Sequence, residues 1–115
     1  SRTAERFKLS SILRRLNLMN RVALTPEGIP LSEAKQLTKF LIDSGHRVFS
    51  LCYHSTSLTP GSTPYVRNEQ ELRRFLGWLD AYLEFFVSEL KGISVLPMDV
   101  YAEAQSAAVT RAPAA

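Results

Sequence analysis

His54 is the residue whose type and position point most directly to chemistry. It ends an apolar run, residues 48–53 (VFSLCY), and a polar, proline-containing loop follows it. Functional residues of parallel α/β folds lie at the carboxyl ends of strands, and an imidazole exchanges a proton near neutral pH. The sequence therefore predicts an acid–base role for His54. The alternative is a histidine that hydrogen-bonds a backbone carbonyl.

Other reactive side chains lie near His54, and each has an ordinary structural interpretation. Glu27, in the loop after a first predicted strand, is expected on the same rim, where a solvated turn carboxylate is the alternative. Residues 55–57 (STS) lack a nucleophile-elbow pattern and are typical of turns. Cys52 is interpreted as a small buried hydrophobe. His46 would lie about 26 Å from His54 along a strand, so the two histidines cannot share a metal ion.

Two strands and a connecting helix are predicted to position these side chains. Residues 21–25 (RVALT) and 47–53 have strand-forming composition, and a helix capped by Ser32 lies between them. A strand, a helix and a second strand in this order form a right-handed crossover with parallel strands. Alternation along the second strand directs Phe49, Leu51 and Tyr53 toward a covering helix layer.

The remaining helices are marked by their caps and by hydrophobic periodicity. Gly45 is expected to end the first helix in a left-handed conformation. Asn68, with Glu71 three residues later, predicts the start of a long helix over 68–91 that carries leucines and aromatic residues at helical spacing. A short helix over about 98–104 is expected to follow.

Composition limits the overall organisation. The chain has 115 residues and a net charge of +3, which favours one ordinary domain and gives little support to a polyanionic partner. The single cysteine excludes an internal disulfide and agrees with a reducing, cytoplasmic location. No apolar run approaches the roughly 18 residues of a membrane span, and no signal peptide is recognised.

The predicted architecture is α/β: a partial (β/α) barrel segment with two parallel strands and three to four helices. Two strands are too few for a covered parallel sheet, which indicates part of a larger fold. We divide the chain into a basic amphipathic helix (1–20), an α/β portion (21–104) and a disordered tail (105–115).

Four motifs give the sequence a family resemblance. They are T-P-E-G at 25–28, G-H-R-V-F at 45–49, Y-H-S-T-S-L at 53–58 and P-G-S-T-P-Y-V-R at 60–67. Together they make residues 21–101 resemble the C-terminal part of bacterial polysaccharide deacetylase-like proteins, the WalW-like group with NodB homology.

The resemblance implies a distorted barrel that removes N- or O-acetyl groups from a glycan. In the family an aspartate and two histidines hold a divalent metal, commonly zinc, and a late leucine–histidine motif supplies the general acid. Leu51 and His54 match that motif with two residues between them, so His54 would protonate the leaving group. Glu27, by its rim position, and Ser55 and Tyr65, in the loop, are the residues expected to bind the glycan.

The metal-ligand motif of the family is absent from this sequence. We therefore expect no cofactor in this chain and no deacetylase activity from it alone; the missing N-terminal half or a partner chain would supply the metal. One alternative is a non-enzymatic α/β interaction module that uses the helix at 68–91, through Phe75, Trp78, Tyr82 and Phe86. Nucleic-acid binding through the basic residues Arg2, Arg6, Lys8, Arg14 and Arg15 is the weaker alternative.

Overall fold

The computed structural model describes residues 24–111, which form three α-helices joined by irregular segments. Helix α1 spans Leu31–Asp43, α2 spans Glu69–Glu84 and α3 spans Pro97–Arg111. A 3₁₀ turn, Ser55–Leu58, lies between α1 and α2, and a π turn, Phe85–Glu89, continues α2. The basic helix predicted over 1–20 lies outside the described residues.

The predicted α/β barrel segment is wrong for the described part of the chain, where no β-strand forms. Within residues 24–111, one parallel bridge stands where the two parallel strands were expected; it joins Leu24 to Leu51, and the Cys52 N–H donates to the Leu24 carbonyl at 3.0 Å. Residues 21–23 of the first expected strand lie outside the described range. Parallel strands are stable in sheets that are covered on both faces. Residues 47–53 are covered on one face only, and Val48 on the other is 62% exposed.

Phe49 and Leu51 nevertheless pack against the core, as their alternation predicted. Tyr53, expected on the same face, is 41% exposed and contacts the Phe75 ring by its edge. Helix α1 supplies much of that core and begins directly after Pro30, whose fixed φ suits a helix start; the predicted cap Ser32 lies inside it. At its end, Gly45 has a φ of 97°. The predicted left-handed cap is therefore confirmed.

Helix α2 begins as its capping residues predict. The Asn68 side chain accepts a hydrogen bond from the Glu71 N–H at 2.9 Å, which satisfies one of the free donors of the first turn. The Glu71 carboxylate in turn accepts the Arg67 N–H at 2.7 Å. At the other end, the Leu90 N–H donates to the Phe85 carbonyl, so the chain leaves α2 through a wider turn.

The core lies where α1 packs against α2 and its π turn. The Thr38 and Tyr82 hydroxyls are 2.7 Å apart across this interface, and the Trp78 indole N–H donates to the Ile29 carbonyl at 2.9 Å. These bonds satisfy buried polar atoms, as a packed interior requires. The buried members of the core cluster are Leu24, Ala34, Leu37, Leu41, Tyr82 and Phe85.

Helix α3 differs from the other two helices because none of its residues is buried. It continues beyond residue 104, where the sequence predicts its end, so residues 105–111 of the predicted tail lie in this helix. In the part of the chain that the structure describes, no helix is long and apolar enough to cross a membrane.

Candidate functional site

A tight turn after Leu24 positions Glu27. The Glu27 N–H donates to the Thr25 hydroxyl at 3.1 Å, and Gly28 takes a φ of 83°, which a residue with a Cβ rarely adopts. The bridge from Leu24 to Leu51 holds this turn beside the segment that leads to His54. The carboxylate and the imidazole therefore meet across 27 positions of sequence.

The Glu27 carboxylate binds His54 at two points. Its Oε2 accepts from the imidazole Nδ1 at 2.8 Å, and its Oε1 accepts the His54 backbone N–H at 3.0 Å. Because a carboxylate can only accept, Nδ1 must carry a proton in this arrangement. The two contacts fix the ring relative to its own backbone and leave Nε2 available to another molecule.

The two side chains differ strongly in exposure: 6% of the Glu27 side chain is accessible to solvent, against 74% of His54. Burial raises the pKa of Glu27, but hydrogen bonds from Ser57 and His54, together with the nearby imidazole, outweigh burial and lower this pKa below its ordinary value. Glu27 is therefore a buried carboxylate held ionised beneath an exposed imidazole.

Ser57, for which the sequence predicted only a turn, completes the arrangement. Its side chain is fully buried. The hydroxyl donates to Glu27 Oε1 at 2.5 Å and lies 3.0 Å from the Thr63 hydroxyl. Residues i and i+3 of a 3₁₀ turn share one side, so the spacing of Ser57 from His54 was a usable signal once that turn was assumed.

The other two predicted glycan-binding residues lie near this cluster but outside its hydrogen bonds. Ser55 is exposed and begins the 3₁₀ turn directly after His54. Tyr65 is 49% exposed, and its ring would lie 3.9 Å from a Cβ placed on Gly28. The loop thus returns an aromatic ring to the turn that carries Glu27.

Cys52 and His46, the other two residues considered for chemistry, make contacts outside the Glu27–His54 cluster. Cys52, predicted to be buried, is exposed, and its Sγ lies 3.5 Å from the Ser50 hydroxyl. The reason is the uncovered face of residues 47–53. The His46 Nδ1 lies 3.2 Å from the Leu41 carbonyl at the end of α1, and the residue is exposed.

The described residues do not fit the metal site that the family resemblance implies. Within 24–111, no group of three His, Cys, Asp or Glu side chains is arranged to hold an ion. A catalytic zinc needs about three such ligands.

The aromatic residues of α2 and its π turn point largely into the chain's own core. Phe75 and Tyr82 are buried, and Trp78 and Phe86 are partly buried against the core cluster. The exposed apolar side chains of this segment are Leu76, Leu83 and Val87. A shallow pocket of about 260 Å³ elsewhere does not include Glu27 or His54.

Comparison with known proteins found no relative of this chain. No protein-family model matches the chain, and neither a curated protein nor a solved structure is significantly similar to it.

Proposed function

We propose that this chain contributes a general-acid histidine, His54, to a hydrolase that removes acetyl groups from a glycan. The observation that carries the proposal is the two-point hold of the buried Glu27 carboxylate on an exposed imidazole. This is the arrangement expected of a histidine that must keep one orientation while it exchanges a proton with a substrate. The motifs around residues 25–28 and 53–67 supply the substrate class by resemblance.

The hydrogen bonds of His54 determine which ring nitrogen can transfer a proton to a substrate. In the protonated imidazole, Nδ1–H stays on Glu27 and Nε2–H faces outward. The oxygen of a water molecule bonds to the acetyl carbon, and as the bond between that carbon and its nitrogen or oxygen breaks, the Nε2 proton passes to the leaving atom and the acetyl group departs as acetate. The neutral ring that remains retains its Nδ1 proton and still donates it to the Glu27 carboxylate in a hydrogen bond. Glu27 stabilises the charged ring before transfer and retains the orientation after it.

This chemistry gives Glu27 a positioning role in place of the glycan contact expected from its sequence position. Its oxygens already accept three hydrogen bonds from within the chain, and little of its side chain is accessible. The exposed Ser55 and Tyr65 are the better candidates for sugar contacts. An aromatic ring offers an apolar face to a pyranose, and a hydroxyl can donate to or accept from a sugar hydroxyl.

The first experiment tests glycan binding by the chain itself. We expect N-acetylated chitooligosaccharides or O-acetylated xylooligosaccharides at millimolar concentration to shift the NMR signals of His54, Ser55 and Tyr65. Tyr65→Ala should weaken this effect, whereas Tyr101→Ala, on the separate helix α3, should not. Absence of any shift at these residues would contradict the glycan part of the proposal.

The second experiment tests catalysis through acetate release. The isolated chain with zinc should release no acetate from these oligosaccharides, and rapid release would overturn the view that further residues are required. In a protein that joins this chain to the metal-binding portion, His54→Ala should reduce turnover by about 10²–10⁴-fold. His46→Ala is the matched control, and equal activity of both variants would refute the role of His54.

The interaction-module alternative now depends on a different set of residues. The aromatic side chains expected to contact a partner are mostly used in the core, so Leu76, Leu83 and Val87 would have to form the contact. Replacing Leu76 and Leu83 with Gln should abolish partner binding under this alternative. The same change should leave glycan-dependent shifts at His54 intact if the enzyme proposal is right.

A further inference from the structure

We propose that Ser57 is a positioning residue that sets the imidazole of His54 by holding the Glu27 carboxylate from its buried side. The inference rests on the proposed function, because it concerns the histidine assigned there as the acid. Ser57 is fully buried, and it contacts the same carboxylate oxygen, Oε1, that accepts the His54 backbone N–H. It therefore acts on the imidazole through Glu27 and does not touch a substrate.

Counting protons fixes the direction of each bond. Glu27 is ionised in this arrangement and can only accept, so the single hydroxyl proton of Ser57 lies on the bond to Glu27 Oε1. The Ser57 oxygen must then accept from Thr63, whose hydroxyl lies 3.0 Å away. The order of donation is Thr63 to Ser57, Ser57 to Glu27 Oε1, and His54 Nδ1 to Glu27 Oε2.

This chain of bonds also joins the loop to the candidate acid. Thr63 forms an antiparallel bridge with the fully buried Val66, and Tyr65 lies between them in sequence. The segment that fixes the Ser57 hydroxyl is therefore the segment that brings Tyr65 to the Glu27 turn. Ser57 links the orientation of the acid to the placement of the aromatic ring.

The test is the tautomer of neutral His54, measured from the ring nitrogen shifts of the ¹⁵N-labelled full chain. In the unaltered protein we expect the Nδ1–H form to predominate, because Glu27 accepts that proton. Ser57→Ala should reduce the ratio of Nδ1–H to Nε2–H by up to about tenfold, because a carboxylate that Ser57 no longer holds leaves the position in which Oε2 accepts the Nδ1 proton, and one hydrogen bond to a charged group is worth about that much. The Glu27 pKa, followed by carboxyl ¹³C shifts, should rise because one of the bonds that lower it is gone.

His46 is the internal control, because its Nδ1 faces the Leu41 carbonyl and its signals should not change. A matched pair at Thr63 gives an independent reading: Thr63→Val should move the His54 tautomer ratio in the same direction as Ser57→Ala, while Thr63→Ser should restore it. Valine keeps the volume of Thr63 and loses the hydroxyl, whereas serine keeps the hydroxyl and loses the methyl group. A tautomer ratio that changes in Thr63→Val and not in Thr63→Ser therefore reports the hydrogen bond and not the packing.

Unchanged His54 tautomer and Glu27 titration in folded Ser57→Ala would overturn the proposal. If that variant does not fold, the Thr63 pair decides, and a Thr63→Val chain with the unaltered tautomer ratio overturns it. These measurements need no substrate. A chain that shows the expected tautomer shifts but fails to bind acetylated oligosaccharides would refute the proposed function while leaving the positioning role of Ser57 intact.

Discussion

At the scale of residues, the candidate site consists of a buried carboxylate that orients the ring and an exposed imidazole that can exchange a proton. Glu27 is surrounded by donors from His54 and Ser57, and these bonds are strongest when the carboxylate is ionised. Removing the charge of Glu27 should therefore lower the free energy of unfolding more than the small change in side-chain volume suggests. This loss of stability should depend on pH.

Glu27→Gln is expected to lower the free energy of unfolding by about 1.5–3 kcal/mol at pH 7, because hydrogen bonds to a charged group are lost. The Glu27 pKa is lowered in the folded chain. The contribution of the Glu27 carboxylate to the free energy of unfolding is thus complete above its pKa in the unfolded chain, roughly 4.3. It is lost as the pH falls through the lower pKa of the folded chain. Urea denaturation should show the two proteins converge at acid pH.

Glu103→Gln, on the exposed helix α3, controls for the general effect of removing one negative charge. Its unfolding free energy should follow that of the unaltered chain at every pH. The ionised, hydrogen-bonded carboxylate would be contradicted if Glu27→Gln stayed less stable than the unaltered chain by the same free energy of unfolding from pH 7 to below the folded pKa of Glu27.

Sequence reasoning found His54 and Glu27 because both follow recognisable local patterns, an apolar run that ends in a loop and a turn rich in proline and glycine. It did not find Ser57, since a serine within a serine- and threonine-rich loop carries no signal until the 3₁₀ turn brings it under His54. Cys52 was misjudged for the opposite reason. Its residue type suggests burial, but no layer among residues 24–111 covers this face of the 47–53 segment.

At the scale of elements, the end of α1 at Gly45 and the start of α2 at Asn68 were predictable, whereas the start of α1, the end of α3 and the strands were not. Gly45 and Asn68 act through bonds within their own turn, so neighbouring residues determine them. A strand at 47–53 depends on partners far away in sequence, and the described residues provide one bridge at Leu24. Local composition therefore indicated extended chain at 47–53 but could not decide whether a sheet would form around it.

The segment that leaves α2 depends on a glycine for close approach. A Cβ on Gly92 would overlap the ring of Phe86, which packs against the core. We expect Gly92→Ala to lower the unfolding free energy by about 1–3 kcal/mol through this overpacking. Gly77→Ala, within α2 and with open space around it, should instead stabilise the chain by up to about 1 kcal/mol. Chemical denaturation compares them, and equal effects would exclude the contact with Phe86.

At the scale of the whole molecule, the described part of the chain has one small core and a peripheral helix. The core joins α1, α2 and the π turn, with Phe85 as its largest fully buried side chain. Helix α3 adds no buried residue. Stability should therefore depend on the interface of the first two helices, and changes in α3 should have little effect on it.

Phe85→Ala is expected to lower the unfolding free energy by about 3–5 kcal/mol, because it removes a buried ring and leaves a cavity. Val87→Ala, two residues later and 52% exposed, should change stability by no more than about 0.5 kcal/mol. Thermal and urea unfolding of both variants give the comparison. A Phe85→Ala chain as stable as Val87→Ala would mean that this interface is not the core.

The exposed thiol of Cys52 has a practical consequence for studying this chain. It is the single cysteine of the sequence, so a maleimide reagent will attach one fluorophore or nitroxide per molecule, two residues from the candidate acid. Such a label reports directly on whatever approaches His54. The same accessibility means that purified material stored without reductant should accumulate disulfide-linked pairs, visible as a doubled mass on a non-reducing gel.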